Sequence, residues 1–267
     1  MATTIAVFDS GFGGLTVLRE LLPLVPGAQY LYLGDSARLP YGSKSQATIA
    51  RYAVESARFL VARGAQHLVI ACNTASALAM PEIKQAVDVP VTGVIEPVVS
   101  AAHQSHPSAQ VLVLATSATV HSHAYRLHCA ARNLNATEKA CPLLVPLVEE
   151  GWIDHPVTRD VLRIYLREAL AVCAPKAVLL GCTHYPLIAP AIESGLRDLG
   201  CHADIIDSAK ATATAVARSV AQRSPPSDAR PAAFQCFATD SVEKFERLGS
   251  QFLGRPVGQV QLVDLGG

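Results

Sequence analysis

Short apolar runs alternate with longer stretches of helical spacing along almost the whole chain, and this alternation limits what it can fold into. Runs at Ile5–Phe8, Tyr30–Leu33, Leu68–Ala71, Val91–Val94, Val111–Leu114, Ala177–Leu180 and Asp204–Ile206 are short and end in small or polar residues, as buried strands do. Between them, segments near 15–24, 45–63, 76–87, 96–105, 119–132, 157–173, 186–199 and 208–222 carry apolar residues at helical spacing. Strands without polar alternation need cover on both faces. The pattern therefore predicts an α/β fold with mainly parallel sheets. With 50% apolar and 16% charged residues among 267, the chain has the material for such a core and is not disordered.

The arrangement also repeats. A strand beginning at Ile5 is followed 67 residues later by Cys72, and one beginning at Val111 is followed 71 residues later by Cys182. The local sequences LVIACNT and VLLGCTH share an apolar strand, a small residue, a cysteine and a nearby hydroxyl. Two such halves would each place one cysteine at a strand's carboxyl end, where open α/β sheets bind ligands. Chance likeness of any two strand–helix units is the competing explanation. The turn-rich stretch Ser224–Pro231 reads as a surface loop, followed by a strand near 233–238, a helix near 240–253 and a strand near 258–263 that should return to the first half.

Charge and cysteine usage narrow the function classes. Lysines and arginines equal aspartates and glutamates, so no electrostatic footprint for nucleic acid or an anionic membrane is expected. The start, MATTIAVFDSG, lacks a secretion signal, and no apolar run approaches the ~18 residues of a membrane span, so a soluble cytoplasmic protein is expected. Seven cysteines without C-x-x-C spacing suit neither a disulfide framework nor a zinc site. His121, His123 and His128 lack acidic or cysteine partners at ligand spacing, and no lysine sits in a pyridoxal-phosphate setting. Neither metal nor cofactor is expected.

Cys72, in Ala71-Cys-Asn-Thr-Ala-Ser76, stands where a strand gives way to a helix. Free backbone N–H groups there favour a thiolate and a bound carboxylate, and Asn73, Thr74 and Ser76 add donors. A buried structural thiol is the alternative. Cys182, in Gly181-Cys-Thr-His-Tyr-Pro186, has the donor Thr183 and the titratable His184 beside it. A single Cys/His pair suggests a thiol hydrolase, whereas two cysteines in equivalent settings suit a two-base reaction. Asp9 and Ser10 lead into Gly11-Phe-Gly-Gly14, which lacks dinucleotide-loop spacing; Asp9 fits helix capping and catalysis equally. The loop Gly34–Ser43, Thr116, Thr119 and the adjacent Glu149 and Glu150 follow other strands or apolar segments.

These motifs resemble the cofactor-independent glutamate racemases of the aspartate/glutamate racemase superfamily. FDSGFGGLTVLRELL (8–22), LGDSARLPYGSKS (33–45), IACNTASA (70–77), GVIEPVV (93–99), ATV (118–120), CPLLVPLVEEG (141–151) and LGCTHYPL (180–187) carry the resemblance in order. Ala115, Ser36 and Leu39 are mild departures. The resemblance implies two pseudo-symmetric α/β domains, 1–97 with 207–267 and 98–206, around an active-site cleft. It implies that Cys72 deprotonates D-glutamate with help from Asp9, and Cys182 deprotonates L-glutamate with help from Glu149 and His184. Glu149 is preferred over Glu150 because it directly follows Pro-Leu-Val. Substrate contacts are implied for Asp9, Ser10, Pro40, Tyr41, Gly42, Ser43, Asn73, Thr74, Thr116, Thr119, Thr183 and His184. A homodimer and a role in supplying D-glutamate for peptidoglycan are also implied. The first strand begins almost at once, so activation by a cell-wall precursor is not expected. Racemases of aspartate or another small dicarboxylate, and a binding module without turnover, are the competing readings.

Overall fold

The computed structural model describes residues 3–222 and 233–266. The first half runs β1 (Thr4–Asp9), α1 (Leu15–Leu24), β2 (Gln29–Gly34), α2 (Gln46–Ala62), β3 (His67–Ile70), α3 (Asn73–Leu78), α4 (Met80–Ala86), β4 (Val91–Gly93) and α5 (Ile95–Ser105). It continues with β5 (Gln110–Ala115), α6 (Ser117–His121), α7 (Ala124–Ala130), β6 (Asn135–Ala140), α8 (Leu144–Glu149), α9 (Pro156–Leu170), β7 (Ala177–Gly181), α10 (Ala189–Asp198) and β8 (Asp204–Asp207). The chain closes with α11 (Ser208–Ala221), β9 (Ala233–Ala238), α12 (Val242–Leu253) and β10 (Val260–Leu262). No described helix is long and apolar enough to cross a membrane.

All strand pairings among the described residues are parallel. One sheet has the order β10-β9-β2-β1-β3-β4 and the other β6-β5-β7-β8. The segment β2-β1-β3-β4 thus recurs as β6-β5-β7-β8, and the repeat read from cysteine spacing is a repeat of topology. Burial explains the apolar strands. In β1, Ile5 and Val7 belong to one core cluster while Ala6 and Phe8 belong to another, so both faces are covered. The Ile5 cluster also contains Val111–Leu114 and Leu179, giving the two sheets a shared core. The closing strand–helix–strand returns to the first sheet, where β9 pairs with β2. Ser224–Pro231 lies outside the described residues.

The structure departs from the sequence reading where apolar patterning fails. Strand β6, with sequence NATEKA, carries no apolar run to announce it, because it is a sheet edge in which Ala136 is the one buried apolar residue. The helical stretch 119–132 breaks at His123, whose φ of 55° is left-handed. The stretch 76–87 begins earlier, at Asn73, and divides at Ala79.

Close backbone packing fixes the ends of the strands. A Cβ on Gly34 would stand 2.2 Å from the Gly11 carbonyl oxygen and 2.6 Å from the Phe245 ring. Gly34→Ala is therefore expected to lower the unfolding free energy by about 1–3 kcal/mol in urea titrations. An unchanged midpoint would show that the Gly11 turn yields freely.

Candidate active site

The carboxyl ends of β1 and β3 from one sheet, and β5 and β7 from the other, feed turns that enclose one cavity of about 500 Å³. Both Cys72 and Cys182 line it. Ser10, Asn73, Thr74 and the 40–43 loop contribute from the first half; Thr116, Thr183, His184, Glu149 and Glu150 contribute from the second.

Cys72 caps α3. Its sulfur accepts the Ala75 N–H at 3.4 Å and donates to Ser10 Oγ at 3.4 Å. Burial, then the charge of Asp9, pushes the thiol up to about 12 against the pull of Ser10 and Ala75. Asp9 lies behind the Gly11–Gly14 turn, 1% exposed, and is not on the cavity wall. One of its oxygens accepts the Gly11 N–H at 2.9 Å, and the other is buried without a hydrogen-bond partner. The helix-cap reading gives way as well, since Gly14 occupies that position in α1. Burial raises the Asp9 carboxyl, opposed chiefly by His184. Asp9 is thus a buried neighbour whose charge bears on Cys72.

Cys182 has a different set of neighbours. Its sulfur lies 3.8 Å from His184 Nδ1, and His184 Nε2 lies 3.1 Å from Glu149 Oε1. Thr183 Oγ1 is 3.4 Å from the same Nδ1, and the Phe252 ring stands edge-on to the imidazole at 4.9 Å. Burial works against the imidazolium. Hydrogen bonds to the Cys182 sulfur and Glu149 outweigh it and raise His184 to about 10. For Glu149, burial is likewise outweighed by His184, leaving the carboxyl below its usual range. Glu149 pairs with this imidazole, and both Glu149 and Glu150 reach the cavity wall.

Hydroxyls from the two halves meet at the cavity. Thr74 Oγ1 lies 3.0 Å from Thr116 Oγ1 and 3.2 Å from Thr119 Oγ1, and the latter two are 2.9 Å apart. Thr119 is fully buried and joins the other two hydroxyls from behind the wall. Tyr41 lines the cavity, and its hydroxyl donates to Asp35 Oδ2 at 2.6 Å. Pro40, Gly42 and Ser43 line the wall. Sequence reasoning missed the apolar lining of Leu39, Pro142, Val145 and Pro146, the ring of Phe252, and Tyr125, whose hydroxyl reaches Asn73. Tyr125 sits at an ordinary core position of a helical stretch, which carried no signal.

The family model for Asp/Glu/hydantoin racemases matches residues 13–216. The chain is 50% identical to a glutamate racemase of Koribacter versatilis, covering 98% of this chain and 98% of that protein. The crystal structure of glutamate racemase from Thermus thermophilus in complex with beta-chloro-D-alanine is 41% identical, with a TM-score of 0.88 and coverage of 98% and 97%. That of Francisella tularensis glutamate racemase in complex with D-glutamate is 32% identical, with a TM-score of 0.90 and coverage of 98% of both chains.

The His184 environment has a measurable consequence. Its folded pKa lies above the ordinary 6.5, so the native state holds a proton that the unfolded chain releases. The resulting stability is fully present below pH 6.5 and is lost as pH rises through about 10. Between those limits, unfolding free energy should fall with pH, and His184→Gln should flatten that slope in chemical denaturation across the same window. An equal slope in the variant would contradict the assignment.

Proposed function

The chain belongs to the Asp/Glu/hydantoin racemase family, and from that premise we propose that it interconverts L- and D-glutamate by a cofactor-independent two-base reaction of Cys72 and Cys182. The observation that carries this reading is that two thiols, on topologically equivalent turns of two sheets, line one cavity with separate acid–base neighbours. Racemisation takes a proton from one face of the α-carbon and returns another to the opposite face. One thiol must therefore be unprotonated while the other is protonated. With D-glutamate, Cys72 removes the α-proton and Cys182 delivers one to the other face; with L-glutamate the roles exchange. Asp9 and Ser10 serve the Cys72 side, and His184 with Glu149 serves the Cys182 side.

No ring is needed to spread the carbanion if donors stabilise charge growing into the α-carboxylate. Asn73, Thr74, Thr116 and Thr183 line the cavity with such groups. Preorganised donors of this kind are worth about 3–4 kcal/mol each in a dry site. The same reading includes the two units 1–97 with 207–267 and 98–206, a cytoplasmic homodimer, and supply of D-glutamate for peptidoglycan.

Either enantiomer of glutamate is expected to take up solvent deuterium at Cα, with aspartate turned over more slowly. Cys72→Ala and Cys182→Ala should each lower racemisation by about 10²–10⁴-fold, followed by circular dichroism of the substrate. Full turnover by either variant, or no exchange with either enantiomer by folded protein, would overturn the reading.

A further inference from the structure

One fully buried side chain touches the neighbours of both thiols. Tyr125 belongs to α7, and its phenolic O–H donates at 2.6 Å to Oδ1 of Asn73, the residue after Cys72. Its ring also packs at Gly181, the residue before Cys182, where a Cβ would stand 3.3 Å from Tyr125 Cε2. The first contact crosses from the half built on β5–β8 to the half built on β1–β4.

This hydrogen bond decides which way the Asn73 amide points. A primary amide offers one acceptor and two N–H donors, and Tyr125 engages the acceptor. The amide nitrogen is buried without a hydrogen-bond partner, on a residue that lines the cavity. Such a group is costly to leave unsatisfied, so it calls for an acceptor from the ligand. With the opposite amide rotamer the cavity would meet an oxygen, which repels a carboxylate. Burial holds the Tyr125 phenol far above its ordinary range, so it stays a donor at any working pH.

We propose that Tyr125 is a positioning residue for the reaction: by holding Asn73 Oδ1 it commits the amide N–H groups to a carboxylate of the substrate, and it couples the Cys72 turn to the Cys182 turn. This rests on the glutamate reading above, and deepens it.

The test is steady-state racemisation of both enantiomers by Tyr125→Phe, Asn73→Ala and the double variant, with thermal melts to confirm folding. Tyr125→Phe should lower kcat/KM about fivefold to tenfold in both directions, the scale of one lost hydrogen bond. In the Asn73→Ala background the same change should cost no more than about twofold, because Tyr125 acts through that amide. Unchanged kcat/KM in Tyr125→Phe, or losses that multiply fully in the double variant, would overturn the proposal, since a purely packing role predicts one or the other. Asn73→Asp tests it without altering Tyr125. The carboxylate still accepts the phenolic proton but turns an oxygen to the cavity, so kcat/KM should fall at least about tenfold below that of Asn73→Ala. Activity of Asn73→Asp within about twofold of the wild type would also overturn it. Absence of α-proton exchange in the wild type would sink the glutamate reading and this proposal together; exchange in the wild type with indifferent variants would sink only the role of Tyr125.

Discussion

The site depends on a backbone approach that leaves no room for a side chain. Gly13, in the turn after β1, faces the turn after β7 so closely that a Cβ would lie 2.1 Å from Thr183 Oγ1 and 2.8 Å from His184 Nδ1. Thr16 fastens the contact: its hydroxyl donates to the Gly13 carbonyl at 2.8 Å and reaches the Thr183 carbonyl at 3.3 Å. The same turn packs against its own sheet, because a Cβ on Gly14 would meet Asp9 Cβ at 2.5 Å. Glycine at these positions lets two sheets present their carboxyl edges to each other at backbone distance. Without that approach the two thiol turns would belong to separate surfaces.

On this near-symmetric frame the chemistry is asymmetric. Cys72 is paired with a hydroxyl and, behind it, a carboxyl raised by burial. Cys182 is paired with an imidazole raised to about 10, which is itself held by a carboxylate kept low. The difference lies in what each turn faces. The Cys72 turn looks toward β1 of its own sheet, whereas the Cys182 turn looks toward α8 and the Phe252 ring of the closing helix. A topological repeat therefore fixes where the sulfurs stand, and α8 after β6 supplies the carboxylate that pairs with the histidine beside one of them.

Much of this was legible because it rests on short-range chemistry. The apolar strands, the cysteine at each strand end and the polar residues beside it are local patterns, and the structure places them as the patterns require. What was illegible is long-range or edge-dependent. Strand β6 is half polar because only one strand pairs with it, so no apolar run announced it. Thr119 shares the motif of Thr116, yet one turn of α6 moves it from the wall to the layer behind. The hydroxyl of Tyr41 turns to Asp35 because that carboxylate, buried under Thr239, needs donors. Glu149 pairs directly with His184, a contact that adjacency in sequence does not encode.

A two-base racemisation of the kind proposed also has a problem of return. Each turnover moves a proton from one thiol to the other, so the enzyme finishes in the form suited to the opposite enantiomer. Burial and the charge of Asp9 push Cys72 up to about 12, which favours its protonated form. To accept L-glutamate again the site must reset, returning a proton to Cys72 and clearing one from the other side. Asp9, buried and raised beside Cys72, and the His184–Glu149 pair beside Cys182 are the groups able to hold those protons in transit. The unequal neighbours of two equivalent sulfurs thus serve a symmetric reaction that a symmetric pair of bare thiols would leave stranded after every cycle.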